Sequence, residues 1–195
     1  LGLVLCLPTV ASGEWYVGGQ AGVTFADQLL NIEGTNGLFG LRAPDFDLKN
    51  SIMYGAKVGN FPANGWFGFE GEVFHTTPHV KNLDEIPGFH LRVTTVAINL
   101  IGRYPGASIQ PYAGVGMALL IAHMSDSATT RSDSDVGPAF NGLAGVRFFI
   151  TPYVALFTEY KFQRGSLQFD DAFAVGGFRG DYQAQYIVGG ITYHF

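Results

Sequence analysis

The sequence predicts an all-β fold, an eight-stranded antiparallel up-and-down transmembrane β-barrel. Three observations predict it: eight stretches that alternate apolar with small or polar residues, short turns that alternate strictly with long polar connections, and aromatic residues gathered at both ends of the stretches. Alternation places successive side chains on opposite faces of a strand, and about 9–11 residues cross a bilayer at a tilt.

The first stretch, 15–25, sets Trp15, Val17, Gly19, Ala21, Val23 and Phe25 against Tyr16, Gly18, Gln20, Gly22 and Thr24. In 52–60, Ile52, Tyr54, Ala56 and Val58 oppose Met53, Gly55, Lys57 and Gly59. In 66–75, Phe67, Phe69, Gly71 and Val73 oppose Gly68, Glu70, Glu72 and Phe74. The fourth stretch, 91–101, sets Val96, Ile98 and Leu100 against Thr95, Ala97 and Asn99; its parity puts Arg92 on the apolar face, at the outer rim, where a charge costs little. In 110–121, Ala113, Val115, Met117, Leu119 and Ile121 oppose Tyr112, Gly114, Gly116 and Ala118. The last three stretches set Phe140, Ala144, Val146 and Phe148 against Asn141, Gly145 and Arg147; Val154, Leu156, Tyr160 and Phe162 against Ala155, Phe157, Glu159 and Lys161; and Ile187, Ile191, Tyr193 and Phe195 against Val188, Gly190, Thr192 and His194. Pairing of 15–25 with 182–195 is expected to close the barrel, because an open edge in hydrocarbon leaves backbone groups unsatisfied.

Connections 62–65, 105–108 and 151–152 are short and each contains Pro, which removes a backbone donor and ends a strand. Connections 26–50, 76–89, 122–138 and 164–181 are long and polar. Trp15, Phe61, Trp66, Phe67, Tyr104, Phe148, Tyr153, Tyr193 and Phe195 lie at the turn end, and Phe25, Phe74, Phe89, Phe140 and Phe162 near the loop end. Two such girdles flank a lipid-facing band in membrane barrels, with short turns on the periplasmic side. A soluble ligand-binding barrel of lipocalin type satisfies the same parity; the proline turns, the girdles and the chain end favour the membrane.

The composition agrees. It is 47% apolar, yet no apolar run approaches the roughly 18 residues of a membrane helix. Twenty-seven Gly and 14% aromatic residues suit short strands and turns, and a net charge of −5 offers no basic footprint for nucleic acid. Residues 1–10 read as the tail of a signal-peptide apolar region, and Ala11-Ser12-Gly13 as a cleavage site. The expected division is a signal-peptide remnant, 1–13, and a barrel, 14–195. Cys6, the single cysteine, falls in the remnant and lacks the small residue that precedes a lipoprotein cysteine, so no disulfide is expected.

The chain resembles the small outer-membrane barrels of OmpA/OmpX type over 14–195. Ile191-Thr192-Tyr193-His194-Phe195, with apolar residues at alternate positions and a terminal Phe, is similar to the signal read by the barrel-assembly machinery. Tyr112-Ala113-Gly114-Val115-Gly116 and Phe157-Thr158-Glu159-Tyr160 are similar to strands five and seven of that family. The resemblance implies the bacterial outer membrane, with its lipid and lipopolysaccharide and the assembly machinery as partners and Ile191, Tyr193 and Phe195 as the assembly signal. Such families host adhesins, anchors, narrow channels and lipid-modifying enzymes, so function does not follow from fold.

Candidate functional residues are few. Lys57, Glu70, Glu72, Arg147, Glu159 and Lys161 share the face expected to line the lumen, which in a barrel of this size is just wide enough for side chains. With 62–65 as a four-residue turn, Lys57 is expected opposite Glu70, and Glu159 within diagonal reach of Arg147. Mutual neutralisation is the expected role; a gated core that opens to pass ions is the functional alternative. His75, His79, His90 and His123 lie near the loop end at spacings that match no ligand motif, and no cofactor or metal is expected. His75 with Ser125, Asp126 and Ser127 motivates a rim-hydrolase reading, without the Ser/His pairing on one strand that lipid-A-deacylating barrels use. Asp133-Ser134-Asp135 lacks the rest of a calcium loop. The expected function is a non-enzymatic surface barrel whose loops 26–50 and 164–181 meet an extracellular ligand, with a lipid-modifying enzyme or a narrow small-solute channel as alternatives.

Overall fold

A computed structural model describes residues 13–35, 46–62, 65–77, 79–80, 91–124, 133–173 and 176–195; all but Gly13 of the expected signal remnant lies outside them. Every regular element among the described residues is a strand: β1 Glu14–Thr35, β2 Phe46–Lys49, β3 Ser51–Phe61, β4 Phe67–Thr76, β5 His79–Val80, β6 Leu91–Arg103, β7 Ile109–Met124, β8 Asp133–Phe149, β9 Val154–Phe173 and β10 Gly176–His194. Consecutive long strands pair antiparallel, and β10 returns to β1, so eight strands close into an up-and-down barrel. At the seam Val17 stands opposite Tyr193 and Val23 opposite Ile187, with Trp15 N donating to Phe195 O at 3.1 Å and Phe195 N to Trp15 O at 2.9 Å. Closure leaves no ladder edge facing hydrocarbon.

The two faces follow the alternation. Val17, Val58, Phe69, Ile98, Met117, Leu156 and Ile191 are exposed on the outside, while Tyr16, Lys57, Glu70, Ala97, Ala118, Phe157 and Thr192 are buried within. Two residues expected in the girdles turn inward instead. Phe61 and Phe74 are buried because they share the parity of Lys57 and of Glu72, respectively, and pleating overrides their height on the strand.

Several strands outrun the expected span. β1 has 22 residues, β9 has 20 and β10 has 19, against 10 in β4. Parts of the expected loops 26–50 and 164–181 are therefore strand: Phe169 stands opposite Phe178, and Gln28 opposite Asp47. β2 keeps β3's register on β1, and β5 pairs with β2 beyond the end of β4. Backbone pairing needs no apolar face, so the ladder continues where the hydrophobic alternation that reveals strands in a sequence fades.

One register also differs from expectation. Lys57 stands opposite Glu72, and Glu70 opposite Gly59. Gly65 N bonds Pro62 O at 2.7 Å, and Trp66 O accepts from Arg103 N of β6 at 2.7 Å, so Trp66 belongs to the turn and β4 starts at Phe67. A two-residue shift keeps every side chain on its face while changing its partner.

Candidate functional site: the lumen and its two mouths

The inward faces of β3, β4, β8 and β9 supply the six charges, and all six are buried. They form one alternating chain. Arg147 NH2 is 3.7 Å from Glu70 Oε2, and Glu70 Oε1 is 3.2 Å from Lys57 Nζ. Lys57 Nζ is 3.0 Å from Glu159 Oε2, Glu159 Oε1 is 2.9 Å from Lys161 Nζ, and Lys161 binds Glu72. Three cations and three anions alternate, so each inner charge touches two of opposite sign. Pairing offsets the cost of burying these charges; Arg147, at the end of the chain, relies on Glu70 and on aromatic faces, because none of its guanidinium nitrogens has a hydrogen-bond partner among the described residues.

Neutral side chains complete the network. Tyr16 OH donates to Glu70 at 2.6 Å and Tyr112 OH to Glu159 at 2.8 Å. Glu72 accepts from Asn99 at 2.9 Å, Asn141 at 3.0 Å and Gln20 at 3.1 Å. The Arg147 guanidinium lies over the rings of Tyr16 and Tyr112, 4.2 and 4.8 Å from their centroids, and Lys57 lies 4.7 Å from that of Phe157. An aromatic face attracts a desolvated cation through its quadrupole. Glu159 is a diagonal neighbour of Arg147 by register, yet its carboxylate turns to the two lysines and Tyr112. The sequence places these tyrosines and amides on the lumenal face; which charge each one meets depends on strands distant in the chain.

Toward the loop end the lumen holds Met53, Phe74, Val93, Leu120, Leu167, Tyr182 and Tyr186 in one buried cluster, beside the mutually hydrogen-bonded hydroxyls of Thr24, Ser51 and Thr76. At the turn end Glu14 bridges the mouth, 2.6 Å from Arg103 NH2 and 2.7 Å from His194 Nδ1, while His194 Nε2 is 2.9 Å from Thr192 Oγ1. This carboxylate, imidazole and hydroxyl line up, but Thr192 and His194 are buried and the hydroxyl also reaches Ala155 O at 3.4 Å. The arrangement braces β1 against β10 and β6. Glu14→Ala removes both contacts and is expected to lower the unfolding free energy by about 1–3 kcal/mol, read by urea titration in micelles; an unchanged midpoint contradicts the bracing role.

Of the remaining candidates, His75 and His123 flank β6 near the loop end. His75 bonds Thr94 at 2.9 Å, His123 is exposed, and Ser125, Asp126, Ser127 and His90 lie outside the described residues. Asp135 Oδ2 accepts from Gln168 N at 2.7 Å and so ties β8 to β9. Among the described residues no three His, Cys, Asp or Glu side chains are grouped to hold a metal ion. At the seam, Ile191, Tyr193 and Phe195 are exposed on the outer face, and Tyr193 stacks on Phe195 and Tyr153 with centroids 6.2 and 6.4 Å apart.

A closed antiparallel barrel, apolar outside and charged within, defines the class: a transmembrane β-barrel. The chain belongs to the outer membrane protein β-barrel domain family, whose match extends over residues 1–195. Its fold is similar to that of Neisserial surface protein A, at 14% identity and TM-score 0.60, over 94% of this chain and 100% of the other. It is also similar to Ail, the attachment invasion locus protein of Yersinia pestis, solved with the heparin analogue sucrose octasulfate, at 15% identity and TM-score 0.54, over 94% and 99% of the two chains. Identities this low speak to fold alone. No curated protein sequence matches the chain significantly.

Proposed function

We propose that the protein is a non-enzymatic surface barrel of the bacterial outer membrane, in which the barrel is the anchor and the loop end, with 26–50 and 164–181, meets an extracellular ligand. The observation that carries this reading is the filled lumen: six paired charges in mid-barrel, with an apolar cluster on one side and the Glu14 brace on the other. A lumen packed with side chains favours anchoring over transport. The raised strands β1, β9 and β10 support an outward role, since they carry the backbone ladder well past the apolar band. Outer-membrane lipid and lipopolysaccharide surround the barrel, and the assembly machinery reads the end of β10 during insertion.

Two measurements test this. In planar bilayers the purified protein is expected to give no discrete conductance steps; steady single-channel openings would overturn the anchoring role. An epitope inserted between 36 and 45 is expected to be labelled on intact cells, and labelling only after the outer membrane is permeabilised would reverse the orientation.

A further inference from the structure

On the outer face, near the loop end, the lipid-facing column of β6 runs Leu100, Ile98, Val96 and Thr94, and ends in Arg92. Arg92 is exposed and stands directly opposite His123 of β7, which ends the parallel column Val115, Met117, Leu119 and Ile121 and is also exposed. On the other side of β6, His75 of β4 stands opposite Thr94 and bonds its hydroxyl at 2.9 Å, one diagonal step from Arg92. The His75 ring leans on Tyr54 with centroids 5.6 Å apart. Among the described residues no carboxylate pairs with Arg92 or His123. Leu100 and Arg92 are separated by about 20 Å of height at the usual strand rise and tilt, which puts Arg92 at the outer boundary of a hydrocarbon band some ~25 Å tall.

We propose that Arg92 and His123, with His75 beside them, bind a phosphate-bearing lipid headgroup of the outer leaflet, of the kind that lipid A presents. The inference rests on the outer-membrane reading above, because it needs the loop end to lie in the outer leaflet. A guanidinium offers a planar fork of donors that matches two phosphate oxygens, and an imidazole N–H across the ladder adds a third donor. An arginine buried at mid-bilayer is costly, whereas at the headgroup level it meets anions in a region of low water activity, where charge-assisted bonds are strong. The apolar columns below the site lie along acyl chains, so headgroup and tail contacts belong to one lipid molecule. The lumen takes no part in the site.

The test uses the full chain in phosphatidylcholine nanodiscs doped with diphosphorylated lipid A, with retained lipid read by native mass spectrometry. Wild type is expected to retain the phosphorylated lipid and to lose it when dephosphorylated lipid A is substituted. Arg92→Ala is expected to weaken retention by about tenfold and Arg92→Lys by less, with the barrel's heat-modifiable migration unchanged as the control for folding. Equal retention of both lipids, equal retention by Arg92→Ala, or displacement by millimolar inorganic phosphate would overturn the proposal. Neither conductance nor surface labelling reads lipid retention, so failure here leaves the anchoring role standing, whereas a reversed orientation in the labelling experiment would overturn this inference as well.

Discussion

Glu159→Ala is expected to lower the unfolding free energy by about 3–5 kcal/mol, the range for breaking a buried ion pair by removing one partner. Glu159 is the central anion of the lumenal chain, 3.0 Å from Lys57 and 2.9 Å from Lys161, and it accepts from Tyr112 at 2.8 Å. Its loss leaves each lysine with a single carboxylate and strands a buried phenol. Glu70→Ala is expected to cost a comparable amount, about 3–5 kcal/mol: Lys57 keeps Glu159, but Arg147 loses the carboxylate beside it and the Tyr16 hydroxyl loses its acceptor. The decisive comparison pairs Glu159→Leu with Lys161→Met. Removing both partners is expected to destabilise by much less than the sum of the two single changes, since no uncompensated charge remains between them. Urea unfolding in phosphatidylcholine vesicles provides the free energies. Strict additivity would show that the two side chains are not energetically coupled.

Deleting Phe195 is expected to reduce the amount of protein inserted in the outer membrane several-fold while changing the folded barrel little. Phe195 is 63% exposed on the lipid-facing side, so its ring buries little against protein. Its backbone exchanges two hydrogen bonds with Trp15, and their loss costs roughly 1–3 kcal/mol in total. The assembly role proposed for Ile191, Tyr193 and Phe195 depends on a different state, in which β10 is an unpaired edge. Such an edge is recognised by strand addition, with backbone pairing for affinity and alternate side chains for specificity. Outer-membrane yield in cells is therefore expected to fall while refolding yield into detergent holds. A parallel fall in both would mean that Phe195 contributes only to the seam and the girdle.

The lumenal charges also show how far parity carries. Alternation in 52–60, 66–75, 140–148 and 154–162 was enough to put Lys57, Glu70, Glu72, Arg147, Glu159 and Lys161 on one face, and the structure buries all six. It was not enough to choose their partners. The pairing expected from a four-residue turn put Lys57 opposite Glu70, whereas the ladder puts it opposite Glu72, and Lys57 still reaches Glu70 along its flexible stem. Its contact with Glu159 crosses the lumen between residues 102 positions apart in the chain.

What the sequence by itself determined is everything that depends on the pleat: strand number, the apolar outside, the closing pair and the faces of the buried charges. These are local, because each side chain's direction follows from its neighbours' along the same strand. Tertiary structure decided the rest. It set the order of the alternating charge chain, since those contacts depend on the curvature of a closed sheet. It chose the partners of Phe61 and Phe74, which parity already sends into the lumen: Phe61 lies under Arg103 at 3.8 Å, and Phe74 packs edge-on against Tyr186 at 5.5 Å. It also extended β1, β9 and β10 beyond the membrane band, because an antiparallel ladder continues wherever a neighbouring backbone supplies donors and acceptors, whether or not the side chains alternate in hydrophobicity.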